Sequence, residues 1–213
     1  PLTGGKHFTA QDSHLVSGGT GALGLLTARW LALRGAYGII LASRSGVLAS
    51  RAAAPWKQLR KTGVVVRLQC CDAAEPMHVR RLAHPHPGTQ LTGFWHAAGV
   101  LADATLPRQS AKGLCKVLAP KGHGAWMLHL MCAKLSVANR MLFSSVTALL
   151  GGAGQANYAA ANACLDALAT SHRVHGGAAV SVQWGAWAEI GMAARGTASE
   201  RMAAMEKSSG LGL

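Results

Sequence analysis

The run Ser17-Gly18-Gly19-Thr20-Gly21-Ala22-Leu23-Gly24 decides the fold. It follows a short apolar stretch, His14–Ser17, and opens a segment, Leu23–Leu33, that carries Leu, Trp and Ala at helical spacing. A strand, a glycine-rich turn and a helix in that order begin a βαβ unit. Working outward, the alternation recurs: Gly38–Ala42, Val64–Leu68, Leu91–Ala97, Arg140–Ser144 and Ala179–Trp184 read as further strands. Tyr158–His172 repeats the helical pattern, while Ala54-Pro55-Trp56 and His84-Pro85-His86-Pro87-Gly88 read as turns. There are no internal repeats, low-complexity tracts or linkers. The expectation is an α/β fold with an open, doubly wound parallel sheet, whose ligands bind beyond the carboxyl ends of the strands.

Within that Rossmann-like frame, Gly19-x-Gly21-x-x-Gly24 matches a phosphate-binding turn. The spacing alone is weak, but the flanking strand and helix are the context it needs. Glycine lets backbone N–H groups approach a pyrophosphate at a helix N-terminus, so Gly18, Gly19, Thr20, Gly21, Leu23 and Gly24 are candidate contacts. The second strand ends in Ser43 and Arg44, and Arg44 lies 20 residues past Gly24. An acid near that point holds a ribose 2′-hydroxyl, whereas an arginine accommodates a 2′-phosphate. No Asp or Glu occurs from Ser13 to Cys71, which favours NADP over NAD. Asp72, closing the third strand, reads equally as an adenine contact or as a cap for the following helix. His96-Ala97-Ala98-Gly99 ends the fourth strand, where small residues leave a path for a cofactor, and His96 reads as a hydrogen-bonded strand-end residue.

Composition narrows the class. Half of the 213 residues are apolar, which suits one globular domain over residues 1–213. No apolar run is long enough to span a bilayer, and Pro1–Gln11 lacks the layout of a secretory signal. Five cysteines without CxxC spacing read as buried thiols in a reducing compartment, the cytoplasm, with a plastid left open. No metal-ligating set stands out. A formal charge of +13 admits a nucleic-acid partner, but the cations are scattered and no nucleic-acid motif is present. The same charge suits a phosphate-rich cofactor and an acidic protein partner. The expectation is therefore no nucleic acid and no membrane.

Phe143-Ser144-Ser145 ends the fifth strand, and Tyr158 follows 13 residues after Ser145. Tyr158 and Asn162, four apart on a predicted helix, share a face. Carbonyl reduction turns the oxygen into an alkoxide that needs a hydrogen bond and a proton, which a tyrosine can supply if a nearby cation lowers its pKa. On spacing alone, Tyr158 reads equally as a packed helix residue.

The stretches SGGTGALGLLTARWL, LASRSG, HAAGVLADATL, FSSVTALLGGAGQANYAAANACLDALA and VQWGAWAEIGMA span most of residues 13–192. Together they resemble the short-chain dehydrogenase/reductase superfamily and, within it, the ketoreductase domains of modular polyketide synthases; the animal fatty-acid synthase ketoreductase is similar. Most of the superfamily carries Tyr-x-x-x-Lys, but position 162 is Asn here. The resemblance implies that Lys121, in Ala119-Pro120-Lys121-Gly122, is the cation near Tyr158. It implies that Ser145 donates to the substrate oxygen and that Asn162 positions the lysine. Lys112 and Lys116 read as surface residues. The implied reaction is NADPH-dependent reduction of a β-ketoacyl thioester, carried on the phosphopantetheine arm of an acyl carrier protein. The implied setting is a synthase with further domains, among them a structural ketoreductase half. Trp184 and Trp187 either line the substrate groove or simply pack, and Gly191-Met192-Ala193 resembles a lid within residues 186–213. Asp103, in Leu101-Ala102-Asp103, matches the last acid of a motif accompanying D-configured alcohols, while a cap for the next helix is its plainer reading. Leu150 stands where the opposite class carries Trp, and Ala160 replaces a Pro associated with epimerised substrates. The family continues into a last helix and strand beyond Ser208–Leu213, so the expectation includes their absence. The rivals are a free-standing reductase of a small ketone, against which Asn162 and Lys121 argue, and a cofactor-binding half without turnover.

Overall fold

The computed structural model describes residues 12–50, 52–82, 90–135 and 137–185. Six strands are seen: β1 (Asp12–Ser17), β2 (Gly38–Ser43), β3 (Val65–Cys70), β4 (Gln90–His96), β5 (Asn139–Ser145) and β6 (Val180–Trp184). All five neighbouring pairs are parallel, in the order β3-β2-β1-β4-β5-β6. This is the doubly wound arrangement, and the winding reverses between β1 and β4. Every strand expected from the sequence is present.

The helices are α1 (Ala22–Leu33), α2 (Ala53–Arg60), α3 (Pro76–Leu82), α4 (Ala111–Leu118), α5 (Gly124–Cys132), α6 (Thr147–Leu150) and α7 (Ala156–Val174). A 3-10 turn, Leu106–Arg108, precedes α4, and a π turn, Ala119–His123, joins α4 to α5. α1 is an Ala/Leu-rich run without proline, and it stops where Gly35 takes φ +92° and Ala36 N–H donates to Leu31 C=O. Ala54-Pro55-Trp56, expected to turn, lies inside α2. Proline is tolerated there because the first-turn N–H groups have no intrahelical partner. His84–Gly88 lies outside the described residues.

Side chains alternate across the sheet and form a core on each face. Leu15, Ile40, Phe94 and Leu142 pack against Val79, Leu82, Leu128 and Leu165 from α3, α5 and α7. Val16, Ile39, Leu41 and Trp95 pack against Leu25, Leu31 and Leu59 from α1 and α2. Burial on both faces is why the central strands read as nearly continuous apolar runs rather than alternating ones. Among the described residues no helix is long and apolar enough to cross a membrane. All five cysteines are free, but only Cys71 and Cys132 are buried; Cys70, Cys115 and Cys164 are exposed, correcting the expectation of buried thiols.

Candidate active site

The crevice between the ends of β1 and β4 is built mainly from backbone. Gly18 adopts φ +74°, and a Cβ there would sit 2.7 Å from the Ala98 nitrogen. A Cβ at Gly24 would overlap the Gly18 carbonyl. These two glycines let α1 and the β4 exit close on the turn. Gly21 differs: a Cβ there would meet nothing nearer than the Gly18 oxygen at 3.4 Å, so the protein itself does not demand glycine. It is the N-cap of α1, which has no side-chain cap and no acid in its first turn. An uncapped helix start with open space above it suits an anionic phosphate.

A cleft of about 240 Å³ opens at this point. It brings together Gly18, Thr20, Gly21, Leu23, Gly24, Ser43, Arg44, Asp72, Ala97, Ala98 and Gly99 of the candidate contacts. Gly19 is the exception. Its N–H donates to Ala42 C=O at 3.0 Å and it is packed beneath the turn, so it supports the cradle without lining it. Arg44 is exposed at the cleft edge. Asp72 Oδ1 accepts from Ala74 N–H at 3.0 Å, an Asx turn ahead of α3 rather than a cap on its first residue. Pro120 also lines the cleft and was not singled out from the sequence. These features fit a dinucleotide with its pyrophosphate at α1, its nucleoside end beside Asp72 and Arg44.

Side chains take over along β4 and β5. Pro120 lacks the N–H an α-helix needs, and the chain there widens into the π turn Ala119–His123. That turn carries Lys121, 3% exposed, into the interior. Its Nζ donates to Phe143 C=O at 2.9 Å and lies 5.3 Å from the centre of the Tyr158 ring. The fully buried His96 meets Lys121 C=O at 3.2 Å through Nε2, fixing the turn to the end of β4. His96 is thus the hydrogen-bonded strand-end residue expected. Ser145 ends β5, with its Oγ 2.9 Å from Thr147 Oγ1. Tyr158 lies one turn into α7. Asn162 Nδ2 donates to Tyr158 C=O at 2.8 Å, and Ser144 Oγ donates to Asn162 C=O at 3.3 Å. The four residues converge, and the hydrogen bond of Asn162 Nδ2 runs to the Tyr158 backbone. The Phe143 carbonyl on β5 accepts from the ammonium, and Asn162 secures the Tyr158 turn.

Burial sets the electrostatics. It lowers Lys121 to about 8, against an upward pull from Asp166, so the ammonium form still predominates at neutral pH. Burial first, then the Lys121 charge, lowers His96 to about 4, leaving it neutral. Tyr158 is raised by burial, while hydrogen bonds from Asn162 and Ser145 oppose the rise and Asp103 adds to it. The net direction is upward, against the lowering expected from a nearby cation, because a half-buried phenol loses its water.

A loop from the β4 side closes the far edge. Gln155 Nε2 donates to Asp103 Oδ2 at 3.2 Å, Asn157 Nδ2 to Ala102 C=O at 2.7 Å, and Ala104 N–H to Gly154 C=O at 2.9 Å. Asp103 thus faces the start of α7, and the N-cap of the next turn is Thr105. Asn157 and Gln155, which tie this loop down, escaped the sequence reading; the only signal was two amides beside Tyr158. Leu150 is exposed on α6. Trp184 stacks on Phe143 with centroids 5.7 Å apart, which is packing. Trp187 and Met192 lie outside the described residues.

Comparison with known proteins agrees with this geometry. The KR domain family model matches residues 12–189. Polyketide synthase GfsB of Streptomyces halstedii is 45% identical over 196 residues, covering 92% of this chain and 4% of the synthase. A solved structure of A-type ketoreductases from a modular polyketide synthase superposes with a TM-score of 0.86 at 39% identity, covering 95% of this chain and 43% of that one. The first ketoreductase of the tylosin synthase gives 0.80 at 38%, covering 93% and 44%. The chain therefore spans a small part of that synthase and under half of each of these two solved ketoreductases.

Proposed function

This chain belongs to the KR domain family, and from that premise we propose that it reduces a carrier-bound β-ketoacyl thioester to the β-hydroxyacyl thioester with NADPH, within a polyketide synthase. The observation that carries the reading is the convergence of Lys121, Tyr158 and Ser145 beside a phosphate cradle. When bound, the nicotinamide supplies a hydride to the keto carbon. Ser145 Oγ hydrogen-bonds the keto oxygen and Tyr158 delivers the proton to it as it becomes an alcohol. Lys121 lies against the Tyr158 ring and stabilises negative charge as the phenol loses its proton. Asn162 holds the helical turn on which Tyr158 stands. Arg44 receives the 2′-phosphate, and Asp72 the adenine end.

The partners in this reading are an acyl carrier protein, other synthase domains and a structural ketoreductase half. The D configuration is proposed on Asp103 and on Leu150 in place of tryptophan. The test follows cofactor oxidation with a 3-oxobutanoyl N-acetylcysteamine thioester, NADPH against NADH, then chiral chromatography of the product. Turnover preferring NADPH and giving the D alcohol is expected. No turnover overturns the enzyme reading, equal use of the two cofactors overturns the role of Arg44, and an L product overturns that of Asp103.

A further inference from the structure

Between Asp103 and Asp166 the chain has no acidic residue at all. Of the exposed cations of that stretch, three stand on neighbouring turns and the fourth, Lys134, follows α5. Arg108, Lys112 and Lys116 are exposed on the 3-10 turn and α4, and Lys112 and Lys116 share one helical face at i, i+4. Beside them stand two exposed leucines, Leu106 at 77% and Leu114 at 40%. A ridge that mixes exposed cations with open apolar side chains is the composition of a contact surface, not of an ordinary solvated helix.

Its position gives the ridge a purpose. Gln109 Nε2 donates to Ala104 C=O at 2.9 Å, and the adjoining Ala102–Ala104 loop is bonded to the start of α7, next to Tyr158. At its other end α4 runs directly into the π turn that holds Lys121. α4 is therefore joined to the reacting side chains at both ends. Another cationic helix, α2 with Lys57 and Arg60 and with Lys61 just after it, packs against α1.

We propose that this ridge, Arg108, Lys112 and Lys116 with Leu106 and Leu114, docks an acidic carrier domain and so delivers its tethered thioester to Tyr158. The proposal rests on the reduction argued above and adds the place at which the carrier is recognised. Complementary charge at the rim of an interface chiefly raises the encounter rate, so the ridge acts on capture of the carrier and not on the chemical step.

The test compares two substrates with the 213-residue chain. One is a purified acyl carrier protein bearing 3-oxobutanoyl phosphopantetheine; the other is free 3-oxobutanoyl pantetheine. Reversing Lys112→Glu and Lys116→Glu should raise KM for the carrier-bound substrate about tenfold, with kcat and all kinetics of free pantetheine thioester unchanged. Added salt should raise the carrier KM of the parent and barely affect the variant. Lys57→Glu with Lys61→Glu, on α2 and at its C-cap, should leave both substrates unaltered. Retained NADPH binding shows that the variants are folded, and Leu114→Ser supplies an uncharged probe that should also weaken carrier use alone. Unchanged carrier KM in both variants overturns the proposal. So does a dimer of the parent that the reversal disperses without changing carrier kinetics, which puts a second copy on the ridge. Failure of the parent to reduce either substrate overturns the underlying reading, and the free thioester distinguishes that failure from a misplaced docking surface.

Discussion

The crest of the sheet holds two neighbouring sites made of different materials. At the end of β1 the chain uses backbone: Gly18 and Gly24 are dictated by contacts of a Cβ that is not there, and α1 is left uncapped. At the ends of β4 and β5 it uses side chains drawn from distant segments: Lys121 from the π turn, His96 and Phe143 from strands, Tyr158 and Asn162 from α7. The backbone site buries no charge and owes its shape to sterics. The side-chain site keeps a lysine and a histidine away from water and is held by single hydrogen bonds. Damage to the first should show in ligand affinity, and damage to the second in turnover and in the response to pH.

The largest effect should come from the side-chain site. Tyr158→Phe keeps the ring and removes the proton donor, so turnover should fall about 10²–10⁴-fold while cofactor binding, followed by fluorescence titration, stays within a factor of about two. Loss of both would show that the two sites are not separable. Acid should find the buried histidines next. Burial lowers His14 and His96 from 6.5 to about 4, with Asp12 partly opposing this at His14 and Lys121 adding to it at His96. Between those values the unfolded chain binds protons that the folded one does not, so stability falls as pH drops from 6.5 towards 4. Each histidine contributes about 3 kcal/mol to that loss. Urea midpoints at several pH values should show the decline, and His96→Asn should flatten part of it; a midpoint constant down to pH 4 would contradict the burial.

On the backbone side the expected effects are smaller and confined to the cofactor. Arg44→Asp should weaken NADPH by about 1.5–3 kcal/mol, the range for a hydrogen bond to a charged group, and change NADH little. Gly21→Ala should cost about 1–3 kcal/mol in cofactor affinity by crowding the bound phosphate, with only the small loss of thermal stability of an alanine at an N-cap. Gly24→Ala is its counterpart, since the added methyl meets the Gly18 carbonyl and must lower the melting temperature as well. Equal stability of the two alanine variants would erase the distinction between a glycine kept for the fold and one kept for a ligand.

The same contrast explains what could be read from the sequence. The cradle is contiguous, so strand, glycines and helix appear together in one window, and Arg44 follows at a fixed offset. The six strands were legible for a similar reason, because burial on both faces leaves apolar runs between turn signals. Tyr158 and Asn162 could be placed on one face of a helix, but nothing in their spacing required Lys121, 37 residues earlier, to meet them. Only the family resemblance supplied that link. Even so, it did not supply the hydrogen bonding: the Phe143 carbonyl holds the lysine, and Asn162 holds the Tyr158 turn. Gly19 misled in the other direction, since the motif cannot tell a glycine that faces a ligand from one pressed against β2.

Strand order also governs how the chain is made. β1 is central, and its partners are β2, close behind it, and β4, whose Leu91 pairs with Ser13. At about 5–20 residues per second, a ribosome needs roughly 4–16 s between releasing β1 and releasing the strand that covers its other edge. Through that interval the nascent sheet exposes an apolar edge able to pair with another chain. The long-range, all-parallel pairing also makes closure of the sheet slow once β4 has emerged. Protein quality during synthesis therefore depends on how β1 is shielded before residue 90. Substitutions that slow elongation or weaken β4 should raise aggregation without altering the finished fold.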